Sequence, residues 1–151
     1  ILKLLKNKYG FEEEDFISAE LEVVPSGKAR SCGFDESMIL GYGHDDRICA
    51  YTSLRAQLEA MDLERTGVCL LVDKEEVGSN GATGMKSKFF ENFVAEVMNA
   101  MNCYNELALK RAFINSDMLS SDVSAAHDPI YASVSSPRNQ AEFGKGLVRI
   151  K

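Results

Sequence analysis

Residues 68–87 read VCLLVDKEEVGSNGATGMKS, and this run limits what the chain can fold into more than any other. Val68, Cys69, Leu70, Leu71 and Val72 make a short apolar run of strand length, so a buried strand is expected over 68–72. Asp73, Glu75 and Glu76 stand at its end. Gly78, Gly81 and Gly84 then call for a tight turn. A helix is expected over 87–101, with Phe89, Phe90, Phe93, Val94, Val97 and Met101 as its buried residues. A strand, an acidic turn and a helix form the repeating unit of an α/β sheet, where ligands bind beyond the carboxyl ends of the strands. Two neighbouring carboxylates at such a place repel each other. Solvent, a basic partner or a metal must offset them.

The flanking sequence extends this unit in both directions. Residues 1–8 read as the last turns of a helix, ended by Tyr9-Gly10. Residues 16–24 alternate, with Phe16, Leu21 and Val23 among polar neighbours, and predict a half-buried strand. Pro25-Ser26-Gly27 turns the chain. Residues 30–36 lack periodicity and read as a crossing between two modules; residues 37–42 (SMILGY) read as a short strand. Asp45 or Asp46 is then expected to cap a helix ending near Asp62. Ile48, Tyr51, Leu54, Leu58 and Met61 supply its apolar stripe. Residues 112–115 (AFIN) predict another strand, and residues 144–151 the start of one more. The resulting β-α-β-α-β order predicts an α/β fold with a partly parallel sheet flanked by helices and right-handed crossovers. Parallel, adjacent strands would gather Asp45, Glu75, Glu76 and Asp122 at one edge of the sheet.

Bulk composition narrows the function. With 151 residues, 45% hydrophobic and 26% charged, the chain has the size and make-up of one ordinary domain. A net charge of −6 gives no electrostatic footprint for nucleic acid or an anionic membrane. No apolar run approaches the roughly 20 residues of a membrane span. The acid run Glu12, Glu13, Glu14 and Asp15 reads as a solvated turn. Cys32, Cys49, Cys69 and Cys103 form no CxxC pair, which fits reduced thiols and a cytoplasmic location. The chain opens on Ile1 rather than methionine, as a truncated chain would. Residues 81–87 (GATGMKS) miss the phosphate-binding loop pattern, because Met85 separates Gly84 from Lys86 and the glycines are too close.

Four carboxylates with only Lys74 and Arg47 built in among them point to a divalent cation, with solvated loop acids as the alternative reading. Carboxylates suit zinc, magnesium and manganese. Two ions about 3.5–4 Å apart can share one bridging carboxylate. A further carboxylate that binds no metal can serve as general base. Of the two histidines, His44 reads as a polar loop residue. His127, just after Asp122, reads as a substrate contact.

Three segments in order carry a family resemblance: GHDDRICAYTSL (residues 43–54), VDKEEVGSNGATG (72–84) and SSDVSAAHDP (120–129). Together they resemble the zinc aminopeptidases of the aspartyl aminopeptidase and vacuolar aminopeptidase I family. The resemblance covers nearly the whole chain and is least distinctive in the first third. It implies an exopeptidase with two zinc ions that removes N-terminal residues from peptides. It implies that Asp45 bridges both zincs, that Glu76 binds one and Asp122 the other, and that Glu75 is the general base. It implies a dimerisation domain inserted in the catalytic domain, and a homo-oligomer, a tetrahedral dodecamer built from dimers. Residues 1–33 then correspond to the end of the inserted domain and residues 34–151 to a middle, incomplete piece of the catalytic domain. The family also places one histidine on each zinc, one upstream and one far downstream. His44 and His127 occupy neither position, so the chain alone supplies only Asp45, Glu76 and Asp122 as ligands. Two other classes compete: a non-catalytic assembly or scaffold protein that keeps the fold, and a nucleotide-binding α/β domain, which the broken phosphate-loop pattern disfavours.

Overall fold

The computed structural model describes residues 1–150, which divide into two compact units, Ile1–Tyr42 and Gly43 onward. The first begins with α1 (Leu2–Tyr9). Gly10 takes the left-handed conformation at φ 75°, and its N–H donates to the Lys6 carbonyl at 2.9 Å, closing the helix as expected. The acid run becomes a 3-10 turn (Glu13–Ile17) on the surface, in which the Asp15 carboxylate accepts from the Glu12 N–H at 2.8 Å. Phe11 stacks on Tyr9 with centroids 5.7 Å apart and meets Phe16 edge-on at 6.4 Å.

That aromatic group explains why the strand expected over 16–24 does not form. Phe16 is drawn into a local cluster with Phe11, and residues 18–24 belong to no strand among the described residues. Alternation supplies a strand only when another strand accepts its hydrogen bonds. The expected strand at 37–42 is present as β2 (Met38–Leu40), and it pairs antiparallel with β1 (Arg30–Cys32) in register Arg30↔Leu40. Residues 30–36 are therefore a strand and its turn rather than a crossing. The turn is held by the Asp35 carboxylate, which accepts from the Ser37 hydroxyl at 2.8 Å and the Ser37 N–H at 3.2 Å. Asx-type bonding of this kind needs no long-range partner, and it holds the Asp35 carboxyl below its usual range.

The second unit is helical. It contains α2 (His44–Glu59), α3 (Phe89–Ala100) and α4 (Glu106–Ile114). The first two lie where the periodicity predicts them. The third replaces the strand expected over 112–115. Asn105 caps it, its side chain accepting the Ala108 N–H at 2.8 Å. Ala108, Leu109, Lys110, Arg111 and Ala112 all favour helix. Phe113 packs on Phe90 of α3 with centroids 5.8 Å apart, and Leu109 is buried at 6% exposure. A tertiary contact at helical spacing thus decides a four-residue run that sequence alone leaves ambiguous.

Only part of α3's apolar surface is covered. Phe90, Val94 and Met98 are half-buried, whereas Phe89 (69% exposed), Phe93, Val97 and Met101 are exposed, contrary to the expectation that all would be buried. The stripe of α2 is likewise exposed. The apolar run 68–72 forms no ladder, and residues 144–150 form no strand. The described residues contain one antiparallel sheet, β1–β2, and two isolated parallel pairings, Asp73↔Gly84 and Ala126↔Ala141. An extended run without neighbours leaves its backbone groups unpaired, so it cannot act as the centre of a sheet by itself.

Candidate metal centre

Three segments of the second unit carry the candidate residues. The first is the start of α2. Gly43 precedes it at φ 69°, and the helical path is interrupted at Asp45 (φ −53°, ψ 145°) and Asp46 (φ 62°, ψ −52°). Gly43 stands at the cap position and has no side-chain cap bond. The Asp45 carboxylate instead accepts the N–H of Asp46 at 2.7 Å. A positive φ at a residue other than glycine costs energy and turns the two side chains away from the helix direction.

The second segment is the glycine-rich stretch after Asp73. It forms a 3-10 turn (Glu75–Val77) bounded by Lys74 and Gly78, both left-handed, with the Gly78 N–H donating to the Glu75 carbonyl at 2.9 Å. The Ser79 N–H donates to the Lys74 carbonyl at 2.7 Å, closing a second ring around the same turn. Adjacent Glu75 and Glu76 are thereby held on one short rigid element. The third segment brings Asp122, whose carboxylate accepts the Val123 N–H at 2.7 Å.

These pieces converge. One carboxylate oxygen each from Asp45, Asp46 and Glu76 lie within 4.8 Å of one another. The Glu75 carboxyl is pushed above its ordinary value, first by desolvation, then by the negative charge of Asp122, then by Glu76, Asp46 and Asp45. Five carboxylates from three separate segments thus share one region, as the sheet-edge argument expects, although a sheet edge is not what assembles them here. Asp46 joins this group, although the sequence suggests for it only a possible helix cap. The signal was the Asp-Asp pair beside His44, which supplies more acid than one cap requires.

Neither histidine joins the group among the described residues. His44 is exposed. His127 is exposed too, and its N–H donates to the Ala141 carbonyl at 3.0 Å. It is not among the charges acting on Glu75.

Clustered oxygens of this kind suit a hard or borderline divalent ion, since carboxylate oxygens bind zinc at about 2.0–2.2 Å. A 4.8 Å span lets three such oxygens close on one cation with small side-chain movements. The residues present therefore fit a metal.

The sequence profile of the family described as "Aminopeptidase I zinc metalloprotease (M18)" matches residues 1–151. The chain belongs to this M18 family. It is 62% identical over 148 residues to a "Probable M18 family aminopeptidase 1" of Clostridium acetobutylicum, covering 98% of this chain and 32% of that one. The M18 chain also superposes on solved structures. The crystal structure of aminopeptidase I from Clostridium acetobutylicum gives a TM-score of 0.76 at 61% identity, over 96% of this chain and 31% of that one. An M18-family aminopeptidase structure from Thermotoga maritima gives 0.82 at 40% identity, over 96% of this chain and 32% of that one. The M18 segment described here therefore spans about a third of the length of the relatives it matches. The uncovered faces of α2 and α3 lie within that matched third.

Proposed function

We propose that this chain contributes the carboxylate part of the active site of a metalloaminopeptidase that removes N-terminal residues from peptides. The observation that carries this reading is the meeting of Asp45, Asp46 and Glu76 beside a Glu75 whose affinity for a proton is raised by desolvation and then by its acidic neighbours. Following the family resemblance, Asp45, Glu76 and Asp122 would be the residues that hold zinc, Asp45 being common to both ions, and His127 would contact substrate. When bound, the ions supply Lewis-acid polarisation of the scissile carbonyl and of water.

Glu75 is suited to the proton transfers. It sits next to the ligand Glu76 on the same 3-10 turn and carries a raised affinity for a proton. A base with a raised pKa takes a proton from water more readily and still returns it to a leaving amine. Two neighbouring glutamates thereby take different tasks, one holding the cation and one handling the proton.

The family name supports zinc. The two-ion count, the homo-oligomer, and the assignment of residues 1–33 to an inserted dimerisation domain and 34–151 to the catalytic domain rest on the resemblance. Four free cysteines support a reducing cytoplasmic setting. No helix of the described residues is long and apolar enough to cross a membrane.

The test is Glu75→Gln in the full-length enzyme. Metal content is expected to stay at the wild-type level while peptide turnover is lost. A variant that still hydrolyses peptides at the wild-type rate would remove Glu75 as base, and a full-length wild-type protein that hydrolyses none would remove the reading itself.

A further inference from the structure

Asp73 touches neither Glu75 nor Glu76, yet it lies at the base of the loop that presents them. Its carboxylate reaches donors on both ends of that loop. Lys74 Nζ lies 3.5 Å from Asp73 Oδ2, with the Lys74 side chain 18% exposed and that of Asp73 66% exposed. Thr83 Oγ1 lies 3.5 Å from the same oxygen, ten residues further on. The backbone repeats the connection: the Asp73 N–H donates to the Thr83 carbonyl at 3.1 Å, and Asp73 pairs with Gly84 in the parallel sense. Inside the loop, the Ser79 N–H is fixed on the Lys74 carbonyl, and the Ser79 carbonyl accepts from Lys86 at 3.3 Å. Close approach completes the clamp, because a Cβ on Gly84 would stand 2.3 Å from the Ser79 carbonyl oxygen.

We propose that Asp73 is a positioning residue for the metal centre: it fastens Lys74 to Thr83, and the closed loop holds Glu75 and Glu76 at their places. This inference rests on the aminopeptidase reading for the roles of the two glutamates. The clamp acts through geometry. Glu76 must bring an oxygen to Asp45 and Asp46, and Glu75 must stay beside it without joining it. A short 3-10 turn between two left-handed residues has few internal contacts of its own, so its orientation is set where its ends are tied. Opening the tie lets the turn rotate and separates the oxygens that a cation needs together. Partners that orient metal-binding carboxylates commonly matter about 10- to 100-fold to metal affinity or activity.

The experiment uses the full-length enzyme stripped of metal and titrated with Co²⁺, whose visible spectrum reports the ligand geometry. Asp73→Ala is expected to weaken Co²⁺ binding about 10- to 100-fold, alter the visible spectrum and lower kcat by a similar factor, with KM within about twofold. Asp73→Asn still accepts the Thr83 hydroxyl and should recover part of that loss. Thr83→Val keeps Asp73 and removes one arm, so it provides the same readings at smaller size if the alanine variant does not fold. Wild-type Co²⁺ affinity and spectrum in Asp73→Ala, or in Thr83→Val where the alanine variant is unfolded, overturn the proposal. A full-length wild-type protein that releases no N-terminal residue from peptides overturns the aminopeptidase reading instead, whatever the cobalt titrations give.

Discussion

Asp122 exerts the largest charge effect on Glu75, although 46 residues separate them in the chain; only desolvation does more to raise the Glu75 carboxyl above its ordinary value. Glu76, Asp46 and Asp45 follow in that order. The relationship links the segment beyond α4 to the 3-10 turn. It makes Glu75 a reporter of whether the acidic cluster is assembled.

The metal-free enzyme should therefore lose stability as pH rises through the titration of Glu75. With its pKa raised on folding, the folded state holds this proton more tightly than the unfolded state does. Stability falls from the ordinary glutamate value of 4.5 upward, until pH passes the folded value. Glu75→Gln, which cannot ionise, should remove that part of the fall. Denaturant titrations of both proteins between pH 4 and 8, with chelator present, check this; parallel curves would show that Glu75 does not carry the effect.

Metal should reverse the repulsion. Zinc at about 100 times its dissociation constant is expected to stabilise the enzyme by about 2.7 kcal/mol, since a ligand that binds only the folded state stabilises it by mass action. Thermal unfolding with zinc and then with excess chelator measures it. No difference between the two would mean that Asp45, Asp46 and Glu76 hold no cation.

Asp46 separates the observed geometry from the resemblance, which names Asp45, Glu76 and Asp122. Asp46→Asn removes the charge from one of three carboxylates lying within 4.8 Å of one another. Competition against a chelator is expected to show about tenfold weaker metal binding, equivalent to about 1.4 kcal/mol. Unchanged affinity would make Asp46 a neighbour of the site and not a ligand.

Gly84→Ala should destabilise the loop by about 1–3 kcal/mol, because backbone stands where the new methyl must go and backbone yields less easily than a side chain. Chemical denaturation reads the loss. A variant of wild-type stability would show that residues 79 and 84 separate at little cost.

Asn105→Ala removes the side-chain acceptor for the Ala108 N–H at the start of α4. A loss of about 1 kcal/mol is expected, as for other N-caps. Since α4 lies away from the carboxylates in sequence and supplies none of them, kcat per folded enzyme should not change.

Helices and turns were legible in the chain because their determinants are local. Tyr9-Gly10 ends α1, the spacing of Ile48, Tyr51, Leu54 and Leu58 marks α2, and that of Phe90, Val94 and Val97 marks α3. Strands were less legible. Residues 68–72 carry a strand's composition, but a strand exists only where another backbone meets its N–H and C=O groups, and nothing within 68–72 specifies that neighbour. Residues 112–115 failed differently. Their β-prone Phe113 and Ile114 were read without Asn105, whose cap starts a helix that carries through them.

The amino-acid sequence by itself determined which residues bear acid, where the glycines permit a tight loop and which faces of α2 and α3 are apolar, because each depends on residue identity and short-range spacing. Tertiary structure alone decided that Asp46 stands with Asp45 and Glu76, that Asp122 acts on Glu75, and that Asp73 ties Lys74 to Thr83. Those relations depend on the path of the backbone between distant segments. Coulomb repulsion and hydrogen bonding act over a few ångströms of space, whatever the separation along the chain.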